Sequence, residues 1–218
     1  KIGVYCDFYD IILLLWEKVT DARILVLDLF DWILLIQKKN VDNIDQLEMF
    51  VKEQSAHVTQ TTLYGYIKTR MGFKHYLMFE NKSFLESIEI AKWNIYVVAL
   101  ADCTLYSLSY LVDKKNLKNY DAKKMFSRMM EQEKSNGLSE KIFSNAKIDF
   151  EQRLREINWN NYHQETPFKM SGLALYSWSP IAEELKVLDK EIVLNSIKLK
   201  WNLVQNEFKK LTVNFLPN

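Results

Sequence analysis

TLYGYIKTRMGFKHYLMFENKSFLESIEIAKWNIYVVALADCTLYSLS, residues 62–109, decides how this chain folds. After Gly72 the apolar residues recur at steps of three and four, the period of a helix and not the alternation of a strand, and before it they follow that spacing roughly. Gly72 is suited to end the first helix in the left-handed conformation, and Asn81 or Ser83 to cap the second. The residues between, Phe73–Phe79, form a short aromatic connector. The second arm, predicted from about Phe84 to Leu111, carries one row at Ile88, Ala91, Ile95, Val98, Asp102, Leu105 and Leu108. A second apolar row follows Tyr96, Ala99, Cys103 and Tyr106. A helix that is apolar nearly all round belongs at the centre of a bundle.

Working outward, the sequence continues in helical period. Upstream, Asn43 caps a helix over Ile44–Met71, and two shorter helices are predicted over Tyr9–Lys18 and Leu25–Lys38, the latter with Asp28 and Asp31 on one face. Downstream, a helix over Ala122–Ser135 stops at Gly137, and Ser139 caps another that ends near Asn158. The next twenty residues, Trp159–Trp178, read as an irregular, aromatic loop. Ser179 as cap and Pro180 at the first helical position open the last helix. Its early stripe is Ile181, Leu185, Leu188 and Ile192; its later stripe is Leu194, Ile197, Trp201, Val204, Phe208 and Leu211, so its apolar face turns near Val193.

With 5 Gly and 3 Pro in 218 residues there are too few turn-makers for a many-stranded sheet. No Pro, Gly or Ser-rich linker divides the chain. The expected architecture is an all-α, single-domain helical bundle of about six to seven helices covering residues 1–218. Segments 24–36 and 95–112 approach membrane length, but acids interrupt both, and they read as core helices rather than spans.

Lys and Arg total 29 against 28 Asp and Glu. Phosphate binding relies on an excess of positive charge, so the global balance gives nucleic acid no support. Locally, Lys114, Lys115, Lys118, Lys123 and Lys124 make a basic patch suited to RNA or an acidic partner. Cys6 and Cys103 have no paired spacing and sit among apolar residues, as thiols do in a reducing compartment. No signal-peptide pattern opens the sequence. The expected location is the cytoplasm or the mitochondrial matrix.

Motifs for chemistry are missing. No glycine has the G-x-S-x-G spacing, no glycine loop cradles phosphate, and His57, His75 and His163 are scattered, none of them three residues after a glutamate. No metal or cofactor is expected. The best small-molecule candidate is the hairpin itself, where Tyr64, Lys68, Arg70, Glu80, Glu89 and Trp93 would converge if the arms are antiparallel. A salt-bridged corner, with Gly65 allowing close helix packing, uses the same residues. Asp102 interrupts an apolar run and, buried, requires a partner; Asn195 is a second buried polar candidate.

TLYGYIKTRMG (62–72), FENKSFLESIEIAKWNIY (79–96) and SPIAEELKVLDKEIVLNSIKLKW (179–201) together resemble a family of uncharacterised bacterial all-helical proteins, some of them labelled esterases. The resemblance implies the helical fold. It implies no catalytic residue, because the serine motif behind such a label is missing here. The expected function is a non-enzymatic helical scaffold or accessory subunit that docks on protein or on a larger intracellular or organellar assembly. The alternative is a small-molecule enzyme or binding protein built on the hairpin.

Overall fold

Asn43 and Gly72 fix the two ends of the first described helix through local chemistry. In the computed structural model, which describes residues 40–118 and 120–216, the Asn43 side chain accepts from the Gln46 N–H at 2.9 Å, and α1 runs Ile44–Met71. Gly72 takes φ 56° and its N–H returns to the Lys68 carbonyl, closing the last turn. A 3₁₀ connector, Gly72–Phe79, leads to α2 at Lys82–Lys115. Of the two expected caps it is Asn81 that accepts from the Phe84 N–H, at 3.1 Å; Asn116, at φ 55°, ends the helix.

Four more helices complete the described unit: α3 Ala122–Lys134, α4 Glu140–Glu156, α5 Lys169–Trp178 and α6 Glu183–Leu211. Asp121 and Ser139 cap α3 and α4 through their side chains. No strand occurs among the described residues of this unit, which is all-α. The helices expected over Tyr9–Lys18 and Leu25–Lys38, with Asp28, Asp31 and Cys6, lie outside the described residues.

α2 is the axis. It packs against α1, α3, α4 and α5 and, from Ile95 to Ser109, every residue but Val98 is buried. By length and composition it would cross a bilayer, yet 83% of its most apolar window is buried within the bundle, which accounts for that composition. α6 packs on α1 and α5. A run of rings joins these layers: Trp201 stacks on Phe168 at 4.1 Å and 13°, Phe168 meets Tyr106 at 5.2 Å, Tyr106 meets Phe208 at 5.8 Å, and Phe208 meets Phe50 at 5.1 Å.

Two sequence expectations change here. The loop over Trp159–Trp178 contains a 3₁₀ turn, Tyr162–Gln164, and all of α5. The last helix begins at Glu183 rather than Pro180, because Ser179 turns back: its Oγ donates to the Leu175 carbonyl at 2.6 Å, ending α5 instead of opening α6.

The glycines separate two roles. Gly65 is exposed and a Cβ there would meet nothing within 4 Å, so it does not serve close helix packing as expected. Gly172 does, since a Cβ there would lie 3.2 Å from Leu194 Cδ2 and 3.6 Å from Ile197 Cγ2. Gly65→Ala is therefore expected to stabilise the fold by about 0.5–1 kcal/mol, and Gly172→Ala to destabilise it by about 1 kcal/mol or more. Urea denaturation of the two variants gives both signs.

Candidate functional site

The hairpin gathers only half of its expected residues. The Trp93 indole N–H donates to Glu89 Oε1 at 2.8 Å, Lys92 reaches the same oxygen at 2.7 Å, and the Lys92 ammonium sits 4.8 Å from the Trp93 ring centre. Tyr64 lies close enough for Glu89, after burial, to hold its phenol well above the ordinary value. Arg70 points elsewhere: it forms a bidentate pair with Asp189 of α6, to which Tyr66 also donates at 2.8 Å. Lys68 and Glu80 are exposed. The charges meant to converge on one pocket are divided between a surface corner and an interhelical clamp, because Asp189 offers Arg70 a nearly buried carboxylate.

Asp102 is fully buried and does find a base. Arg153 of α4 donates to Oδ1, and the Ser171 backbone N–H donates to Oδ2 at 2.7 Å. Arg153 also donates to the Tyr162 hydroxyl at 2.9 Å, which donates to the Pro167 carbonyl at 3.2 Å. Burial pushes the carboxyl of Asp102 above the usual carboxylate range, while Arg153 and the Ser171 N–H pull it back. The physical product is a long-range cap. α5 has no side-chain cap of its own at Phe168, and a carboxylate delivered from α2 answers the Ser171 N–H of its first turn.

Asn195 is exposed on α6 and not buried. It borders an open groove of about 740 Å³, with Tyr110, Phe168 and Trp201 on its apolar side and Lys114, Lys198 and Lys209 among its charged residues. The basic patch is broken up: Lys114 pairs with Asp113 at 2.8 Å, Lys123 with Glu151 at 2.9 Å, and Lys115 donates to the Val213 carbonyl. Lys118 and Lys124 are exposed. Among the described residues no three His, Cys, Asp or Glu side chains gather as metal ligands. The buried Cys103 thiol is pushed up to about 12 by burial, which leaves it a poor nucleophile.

His57 carries the clearest pH signal. Burial and, second, the charge of Lys200 lower it to about 4. Its folded value lies below the unfolded one near 6.5, so the stability it contributes is present above pH 6.5 and lost as pH falls through about 4. His57→Gln is expected to flatten that loss by on the order of 1–3 kcal/mol, measured by urea titrations between pH 7 and pH 4.

The largest departure from expectation is on α6. The early stripe, expected to touch a neighbour, faces outward from Leu185 on while Ile181 packs against the core: Leu188 is 75% exposed and Ile192 69%, with Leu185, Leu199 and Leu203 on the same line. Lys186, Asp189 and Val193 are buried in their place. The two buried charges are answered, Lys186 by the Ser177 carbonyl at 3.1 Å and Glu183 at 2.8 Å, and Asp189 by Arg70 and Tyr66. Hydrophobic spacing signals that a stripe is covered but is silent on whether its own fold or another surface covers it. The chain matches no family model, no curated protein and no solved structure.

Proposed function

We propose that this protein is a non-enzymatic helical subunit that docks on another protein surface through the outer face of α6. One observation carries the reading. Five aliphatic residues, Leu185, Leu188, Ile192, Leu199 and Leu203, lie along one line of a helix whose opposite face is packed on α1 and α5. They are 39–75% exposed, and exposed apolar patches on the order of several hundred Å² mark interaction sites. Helix-in-groove recognition uses anchors at this i, i+3, i+7 spacing. The buried Cys103 thiol fits work in a reducing compartment, cytoplasm or mitochondrial matrix.

The double variant Leu188→Glu, Leu199→Glu tests it. Both side chains are 66–75% exposed, so the thermal midpoint is expected to move little. Association measured by sedimentation of the protein from gentle lysates is expected to be abolished. Loss of fold together with loss of association would return the stripe to a structural role.

A further inference from the structure

Four of the five stripe residues are symmetric about one midpoint. Ile192 and Leu188 precede the polar pair Asn195–Ser196, and Leu199 and Leu203 follow it at matching distances, so reversing the helix lays these four onto themselves, with Leu185 set opposite Asn206. The flanking charge is divided by sign in the same way. The exposed charges of the first half are Glu183, Glu184 and Glu191 against Lys190; those of the second half, from Lys198 onward, are Lys198, Lys209 and Lys210, with the half-buried Lys200 and Glu207 beside them. A parallel copy would set acid against acid and base against base. An antiparallel copy sets the acidic end of each helix against the basic end of the other.

Resting on the docking reading above, we infer that the occupant of the α6 face is a second copy of this chain, packed antiparallel across a two-fold axis between Asn195 and Ser196. The interface is isologous, as closed dimers require. Ile192 lies opposite the partner's Leu199, Leu188 opposite the partner's Leu203, and Glu191 faces Lys198 of the partner subunit. Asn195 and Ser196 form a polar layer at the axis, a device that fixes register in paired helices at some expense of stability. One helix face per copy covers less than the roughly 800 Å² of a standard interface, so the dimer is expected to dissociate in the micromolar range. Its charged flank weakens with salt.

Light scattering and sedimentation of the full chain across micromolar concentrations test this, with four proteins compared. Wild type is expected at twice the 25.9 kDa of the chain. Leu188→Glu is expected as a monomer. Glu191→Lys places lysines against lysines twice per dimer and is expected to weaken it about tenfold, and Glu191→Lys with Lys198→Glu restores it. A dimer indifferent to Leu188→Glu or to the charge reversal overturns the inference, as does a wild-type monomer at about 100 μM. Hydroxyl-radical labelling then separates the two readings. A monomer whose Leu188 and Ile192 label freely sinks self-pairing and leaves the face open to a different protein. A monomer whose stripe is shielded from labelling sinks the docking reading as well.

Discussion

Arg153→Met is expected to cost the fold about 3–5 kcal/mol, because it strands the carboxylate of Asp102 in a fully buried site. The same change removes the donor to Tyr162, whose hydroxyl anchors the chain at Pro167, and it slackens the cap on α5. The effect has a pH signature. Without its cation Asp102 is held further above the ordinary carboxyl value near 4, so the variant's stability falls as pH rises from there through the raised value. Guanidinium denaturation should therefore show a wider gap from wild type at pH 8 than at pH 5. Adding Asp102→Asn removes the charge and should recover part of the loss. A gap that is flat with pH would mean that Arg153 acts through packing alone.

Trp201→Ala is expected to cost a further 3–5 kcal/mol when made on its own. Trp201 is 1% exposed and stacks on Phe168 at the start of α5, so the change opens a cavity where α5, α6 and the ring of Tyr106 meet. Its indole N–H makes no hydrogen bond among the described residues. Trp201→Phe should accordingly retain most of the stability, while Trp201→Ala lowers the thermal midpoint by roughly 10 °C or more. Equal losses in the two variants would show that ring stacking is not what holds α5 in place.

Where a helix end is decided by its neighbours in sequence, the sequence was a sufficient guide. Asn43, Gly72, Asn81 and Ser139 each cap or stop a helix with their own groups, as their residue types indicate, and Asp121, which the sequence reading did not name, does the same for α3. α5 escaped notice because the group that answers its first turn, Asp102, sits sixty-nine residues before Ser171. Asp102 was legible as a buried acid in need of a partner; that the partner is Arg153 depended on how α4 crosses α2.

The hairpin pocket failed for a similar reason. The sequence reading set Arg70 to meet the carboxylates of its own hairpin across the turn, but Asp189 reaches it from α6 with a less hydrated oxygen pair. On α6 the rule of apolar spacing found the buried row Ile197, Trp201, Val204, Phe208 and Leu211, but its earlier row, Leu185, Leu188 and Ile192, meets no neighbour within the described fold. Lys186 and Asp189 look like a solvated face until Ser177, Glu183, Arg70 and Tyr66 are brought to them, and only tertiary structure does that.

The most direct test of the docking role is the native mass of the protein taken gently from its own cell, read together with radical labelling of Leu188, Ile192, Leu199 and Leu203. The expected result is a particle heavier than a single chain in which these four side chains are protected, and in which Leu188→Glu both lowers the mass and exposes them. A lone chain at its own mass, with the stripe fully labelled at cellular concentration, would contradict it.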